Sequence, residues 1–305
     1  MILRKEAAVC LFIFLLFALA SGDCNDDKLP GSEQMDKPDV NFKDINVAEG
    51  VCVRVYVPKS ATPEKKLPLV VYIHGGGFVM YSAFLNPYDK YVYLLVTTAN
   101  VVAVSVDYRR AQNHPFPGAY DDAWAALTWI ASHAGKPGPE EWLNTHADFS
   151  RVFLVGDSAG ANIAHNMLMK DGLDLDVTGL GLIHPYFWGS KPIGSHEARD
   201  EKGREPGDRV VLQSGATPDD PRINPFVDRA KLAGLKCNKV LVLIAEKDLF
   251  RDRGECYYEA LSQSGWKGKA ELMESPGKDH TFHLQTPEDK EAQAMLQRVS
   301  SFVNS

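Results

Sequence analysis

Hydrophobic and polar positions change period several times along the chain, and the changes mark out its elements. In "VNFKDINV" (40–47) and "VCVRVYVP" (51–58) apolar and polar side chains alternate, which is the period of a half-buried strand. Their closeness predicts an antiparallel pair at one edge of a sheet. The runs "LPLVVYIHGGG", "VVAVSVDY", "RVFLVGDS", "LGLIHPYF" and "KVLVLIAEKD" are short, β-branched and nearly continuously apolar, as strands buried on both faces are. Between them, apolar residues recur at helical spacing in "PYDKYVYLLVTTA", "AYDDAWAALTWIASH", "AGANIAHNMLMK" and "RGECYYEALSQSG". A last helix is predicted over "PEDKEAQAMLQRVSSFVN", with Pro287 and acidic residues in its first turn. Strands alternating with crossover helices predict an α/β fold with a mainly parallel central sheet flanked by helices.

Two stretches break the pattern. Residues from about 190 to 222 are charged, rich in Gly and Pro and poor in large apolar side chains, and read as a loop or a thin, reduced cap inserted into the domain. At the start, Arg4 and Lys5 precede an apolar run from Ala7 to Ala20, and Ala18-Leu19-Ala20 has the small-x-small form of a signal-peptidase site. Residues 1–22 therefore read as a secretory signal, 23–37 as a polar linker and 38–305 as one domain. A permanent anchor is the rival reading of the apolar run. It is shorter than the roughly 20 apolar residues that span a bilayer, so no stable membrane span is expected. No N-x-S/T sequon accompanies the signal.

At 305 residues with 45% hydrophobic content, the chain can bury a sizeable core. Its formal net charge of −7 excludes a general attraction to nucleic-acid phosphates or anionic lipid. Five scattered cysteines, Cys10, Cys24, Cys52, Cys237 and Cys256, form no C-x-x-C pair and no metal spacing, and read as ordinary thiols.

One corner carries candidate chemistry. Gly156-Asp157-Ser158-Ala159-Gly160 is G-x-S-x-G between a predicted strand and a predicted helix, where small residues allow a sharp turn that exposes the serine hydroxyl. The bland alternative is a Gly-rich turn capped by serine. A serine nucleophile needs a base, and the base needs an orienting carboxylate. Asp248 ends the strand "KVLVLIAEKD", and His280 lies in "ESPGKDHTFH", a loop between the next strand and the last helix. Asp252 and Glu246 are the rival acids and His283 the rival base. The glycines after His74, Gly75-Gly76-Gly77, follow the strand "LVVYI" and can leave backbone N–H groups free for an oxyanion, joined by that of Ala159. His74 reads as support for that loop. Asp121 and Asp122 read as acidic first-turn residues of a helix, and His165 and His184 as interior histidines. No Walker loop, G-x-G-x-x-G or H-E-x-x-H occurs, so no nucleotide, other cofactor or metal is expected.

"HGGGF", "SVDYRRA", "GDSAGANIAHN", "HPYFWG", "INPFVD", "VLVLIAEKDLFRDRG", "YYEAL" and "DHTFH" together resemble the plant carboxylesterases of the hormone-sensitive-lipase-like α/β-hydrolase group, across most of residues 40–304. The resemblance implies an α/β-hydrolase fold and a Ser158, Asp248, His280 triad. It also implies an oxyanion hole made chiefly by Gly76 and Gly77, and hydrolysis of small-molecule carboxylic esters through an acyl-serine. Two relatives of that group act differently. Gibberellin receptors bind a hormone and replace the histidine with an aliphatic residue, whereas His280 is retained here. 2-Hydroxyisoflavanone dehydratases eliminate water, some with threonine in place of the nucleophile, whereas Ser158 is retained. The chain departs from the group at its signal-like start, where relatives carry a cytosolic segment that helps cover the site. It also departs in a shorter, more charged stretch between Trp188 and Asn224, and in Ala111-Gln112-Asn113-His114-Pro115, where A-P-E-H-P is usual. The group is ordinarily cytoplasmic, so secretion is the expectation from the signal and the cytoplasm its alternative. A reduced cap implies short acyl chains. Oligomeric state is left open.

Overall fold

The computed structural model describes residues 36–197 and 201–305; the predicted signal and nearly all of the linker lie outside the described residues. Eight strands form one sheet: β1 (Val40–Ala48), β2 (Val51–Pro58), β3 (Leu67–Ile73), β4 (Val102–Asp107), β5 (Ala147–Asp157), β6 (Gly179–Ile183), β7 (Lys239–Ala245) and β8 (Lys269–Ser275). Their order is β1-β2-β4-β3-β5-β6-β7-β8. The β1/β2 and β2/β4 pairs are antiparallel and the others parallel, so the antiparallel pair lies at the edge as the sequence predicts, but only β1 is half-buried: β2, paired on both sides, is buried throughout. The helices in chain order are α1 (Tyr88–Ala99), α2 (Gly118–Ala131), α3 (Glu141–His146), α4 (Ala159–Met169), α5 (Gly194–Glu197), α6 (Glu201–Ser214), α7 (Arg251–Gln263), α8 (Phe282–Gln285) and α9 (Lys290–Val303).

Both sheet faces are covered, which is why the inner strands carry no polar alternation. On one face Leu95 of α1 and Met295, Val299 and Phe302 of α9 pack over Val70, Phe153, Val155 and Leu241. On the other, Leu127 and Ile130 of α2, Ile163 and Met167 of α4, and Leu261 of α7 cover Val71, Leu154, Leu182 and Val242. Burying each such side chain contributes about 1.5–3 kcal/mol, so the amphipathic helices are held by the sheet more than by their own propensity.

Three further expectations need correction. The stretch read as a loop or thin cap contains α6, 14 residues long. From residue 207 on, its buried positions are Gly207, Val211 and Ser214, with Val210 half-buried, at i, i+3, i+4 and i+7, while Leu212 is 80% exposed. The helical stripe is real but mixes two valines with a glycine and a serine, so it carries little hydrophobic signal. Gly207 is required there: a Cβ would lie 2.5 Å from Cη2 and 2.6 Å from Cε2 of the Trp188 ring. Pro287 precedes the last helix instead of sitting in its first turn. Asp289 is the N-cap, accepting the Glu291 N–H at 2.8 Å, a stronger start signal than proline. Cys52, on β2, is disulfide-bonded, a pairing in space that sequence spacing cannot reveal, whereas Cys237 and Cys256 are free thiols. No helix among the described residues is long and apolar enough to cross a membrane.

Candidate active site

Parallel pairing places the ends of β3, β5, β6 and β7 side by side, with Ile73 opposite Gly156, Asp157 opposite Ile183, and Ile183 opposite Leu243. Side chains just beyond these ends therefore converge above one edge of the sheet. Ser158 occupies the turn from β5 into α4 at φ 51° and ψ −119°, a left-handed conformation costly for a residue with a Cβ. The turn is held from both sides. Ser158 N–H donates to Ile183 O at 2.9 Å, and Ser158 O accepts Tyr186 N–H at 3.0 Å. Its closeness explains the flanking glycines: a Cβ on Gly156 would stand 2.5 Å from the carbonyl of Gly160.

Asp248 follows β7 and His280 follows β8. Their loops are stitched by Glu246 N–H to Ser275 O at 3.1 Å and Lys247 N–H to Lys278 O at 2.8 Å. Asp248 is 1% exposed; one carboxylate oxygen accepts Phe250 N–H at 2.9 Å and the other meets His280 Nδ1 at 2.7 Å. His280 Nε2 lies 2.9 Å from Ser158 Oγ. With Nδ1–H donating to Asp248, the Nε2 lone pair is left for the serine proton. Burial alone would lower the imidazole's pKa, but the charge and hydrogen bond of Asp248, with Asp157 and Asp279 behind them, hold it above its ordinary value. Burial would conversely raise Asp248, yet His280 and the Phe250 N–H hold its carboxyl below the usual range.

The rivals are placed elsewhere. Asp252 accepts the backbone N–H of His196 at 2.9 Å and pairs with its ring at the same distance, and exposed Glu246 accepts Gly277 N–H at 2.5 Å. His283 is buried edge-on to Tyr91, and burial pushes its pKa down to about 3. Asp122, fully inside, binds the Arg109 guanidinium at 2.6 Å. His165 meets the Tyr257 hydroxyl at 3.0 Å in the core.

The glycine loop lies against this cluster. Gly76 and Gly77 take φ of 101° and 60°, which turns successive amides off the strand path. Among the described residues no backbone acceptor takes either amide. Gly75, expected among the oxyanion donors, differs: its N–H donates to Asp157 Oδ1 at 3.0 Å and is committed inward. His74 supports the loop, donating from Nδ1 to Gly75 O at 2.7 Å and stacking on Tyr108 at 4.3 Å; burial lowers its pKa to about 4. Tyr108 OH donates to His74 O at 2.9 Å. Val210 of α6 closes the other side, with Cγ2 at 3.3 Å from where a Gly77 Cβ would be.

Sequence reasoning missed four groups here. Tyr72, Tyr88 and Tyr108 sit in apolar context and read as core, with no sign of what their hydroxyls reach. His184, read only as interior, is buried beside the site with its ring centroid 5.9 Å from that of His280, and accepts Thr281 N–H at 3.1 Å. Among the described residues, the one group of metal-ligating side chains whose ligand atoms all lie within 4.8 Å of one another is His184, Asp248 and His280. Two of the three are already bound to each other.

Comparison with known proteins agrees with this geometry. The alpha/beta hydrolase fold family matches residues 70–284. A probable carboxylesterase 2 of Arabidopsis thaliana is 44% identical over 85% of this chain and 83% of the relative. A 2-hydroxyisoflavanone dehydratase of Glycine max is 43% identical over 87% of each. Among solved structures, EstE1, a thermophilic carboxylesterase from a metagenomic library, superposes with a TM-score of 0.72 at 30% identity over 89% of this chain and 90% of that one. An esterase of Pyrobaculum calidifontis does so at 0.72 and 28% identity over 87% and 84%. The chain belongs to the alpha/beta hydrolase fold family, in the group of plant carboxylesterases and 2-hydroxyisoflavanone dehydratases.

Proposed function

We propose that the chain is a serine carboxylesterase acting on small-molecule esters. The observation that carries this reading is the unbroken path from Ser158 Oγ to His280 Nε2 at 2.9 Å and from His280 Nδ1 to Asp248 at 2.7 Å. His280 takes the hydroxyl proton as Ser158 attacks the ester carbonyl. The resulting imidazolium is held by Asp248 and then protonates the departing alcohol. Water, deprotonated by the same imidazole, attacks the acyl-serine and releases the acid, returning the proton to Ser158. The amides of Gly76, Gly77 and Ala159 bind the oxyanion, a role for which one donor is typically worth about 3 kcal/mol in the transition state. Gly156 and Gly160 let the corner close, and Asp157 and His74 support it.

A p-nitrophenyl acetate-to-laurate series with the purified chain, run beside Ser158→Ala, tests the reading. Turnover lost in Ser158→Ala supports it, whereas folded wild-type protein with no ester turnover overturns it. The dehydratase relative supplies the second reading, which turnover of a 2-hydroxyisoflavanone without ester hydrolysis would favour.

We further propose that the protein enters the secretory pathway. Besides the signal-like sequence, a disulfide-bonded Cys52 suits an oxidising compartment. Secretion of the tagged chain into the medium, against retention in the cytosol, decides this.

A further inference from the structure

The residue before the nucleophile is an aspartate with no part in the proton path above, yet it is completely buried. A buried carboxylate is costly unless its oxygens are bonded, and those of Asp157 are. Oδ1 accepts Gly75 N–H at 3.0 Å and Tyr72 O–H at 2.8 Å, while Oδ2 accepts Tyr88 O–H at 3.0 Å. These donors come from three places: the strand under the glycine loop, the loop itself, and α1. The carboxylate thus ties the loop that offers the Gly76 and Gly77 amides to the residue next to Ser158. The fit is close, since a Cβ on Gly75 would lie 2.5 Å from Asp157 Oδ2 and 2.9 Å from the Tyr88 hydroxyl.

We propose that Asp157 is a positioning residue of the hydrolytic site, fixing the glycine loop at its spacing from Ser158 and supplying a second negative charge behind His280. The proposal rests on the esterase reading. The groups that face the carboxylate are the Tyr72 hydroxyl from β3, the Gly75 N–H from the loop after it, and Tyr88 and Tyr91 from α1. Tyr108 from the end of β4 and His280 from the loop after β8 complete the set, with Arg110 beyond Tyr108. Burial pushes the Asp157 pKa up to about 6, against the pull of the two tyrosine hydroxyls, His280 and the Gly75 N–H. The carboxylate therefore ionises within the range in which an esterase works. Below that range it keeps its volume but loses its charge.

The test compares wild type, Asp157→Asn, Tyr72→Phe and Tyr88→Phe. The readouts are kcat and KM for p-nitrophenyl butyrate across pH, the rate at which a p-nitrophenyl phosphonate labels Ser158, and the melting temperature. Asp157→Asn keeps the volume and an acceptor for Gly75 but removes the charge. It should lower kcat and the labelling rate about tenfold with little change in KM. It should also move the acid limb of kcat/KM down by about half a pH unit, because His280 loses a negative neighbour. Each Tyr→Phe change removes a donor from the carboxylate, so Asp157 loses its charge at higher pH and the limb moves down as in Asp157→Asn, by a smaller step. A role in folding alone would lower the melting temperature and move neither limb. If Asp157→Asn fails to fold, the tyrosine variants decide: limbs that stay at the wild-type pH overturn the proposal. Asp157→Asn with wild-type kcat and an unmoved limb overturns it while leaving the esterase reading intact. A wild-type chain that hydrolyses no ester and is not labelled at Ser158 overturns both.

Discussion

Gly160→Ala is the smallest change that separates the fold of the nucleophile turn from its chemistry. Gly160 lies in the first turn of α4, directly against the end of β3. A Cβ there would collide with Ile73 O and stand 2.5 Å from His74 O and 2.7 Å from His74 C. Carbon and oxygen atoms rest at about 3.3 Å or more, so α4 and β3 must part by more than about 1 Å to clear Ile73 O. Both clashing partners are backbone, and no side-chain rotamer can absorb the strain. Overpacking of this kind costs about 1–3 kcal/mol. For a domain of this size that lowers the melting temperature by about 2–10 °C. Activity should suffer more, because the parted elements are those that carry Ser158 and the glycine loop. A displacement of about 1 Å in a reacting group costs about 100-fold in rate. Calorimetry and p-nitrophenyl acetate kinetics on the same preparation read both effects. Wild-type melting and wild-type kcat/KM in Gly160→Ala would refute the close approach and the reasoning built on it.

Asp248→Asn should leave substrate binding nearly intact and lower kcat by about 10³–10⁴-fold, because an amide cannot hold the tautomer with Nδ1 protonated; the ester assay with a melting control reads this. His74, His165 and His283 are buried, with pKa values lowered in the folded state to about 4, 3 and 3. The unfolded chain binds more protons than the folded one below its histidine pKa near 6.5, so stability is complete above that pH and lost below it. The loss should reach about 1.4 kcal/mol per histidine for each unit below about 6.5, until the folded values are reached. Urea melts at pH 7.5, 6.5 and 5.5 measure the slope, and a flat series would contradict it. Gly207→Val drives a side chain into the Trp188 ring and should lift α6. KM for long acyl esters should then change more than kcat for acetate, and equal changes in both would place α6 away from the substrate.

How far the sequence reveals the site depends on the physical signal each residue leaves. Ser158 and Asp248 stand just past apolar runs and His280 in the loop after the next strand, and a parallel sheet gathers such positions at one edge, so their convergence follows from the pattern of strands. Tyr72 and Tyr88 lie inside runs whose hydrophobicity explains them fully, and the length of a phenol that reaches Asp157 becomes visible only in space. His184 was legible as buried, but not as a neighbour of His280, because that contact joins loops 96 residues apart. The helix α6 was missed for the opposite reason: its inward side mixes Gly207 and Ser214 with Val210 and Val211, and its large apolar Leu212 faces outward.

That weakly apolar stripe bears on how such a protein can change its diet. The described ties of α6 include a glycine on a tryptophan ring, an indole N–H to Asp208 at 2.8 Å, a tyrosine hydroxyl to the Gly207 carbonyl at 3.1 Å, the Phe116 N–H to the Ser214 carbonyl at 2.8 Å and the buried Val211, and none of them belongs to a strand pairing of the sheet. The segment lies between β6 and β7 and supplies no strand, so its length is not fixed by the register of the sheet. Selection can retool what the enzyme admits without rebuilding the machinery that cuts it.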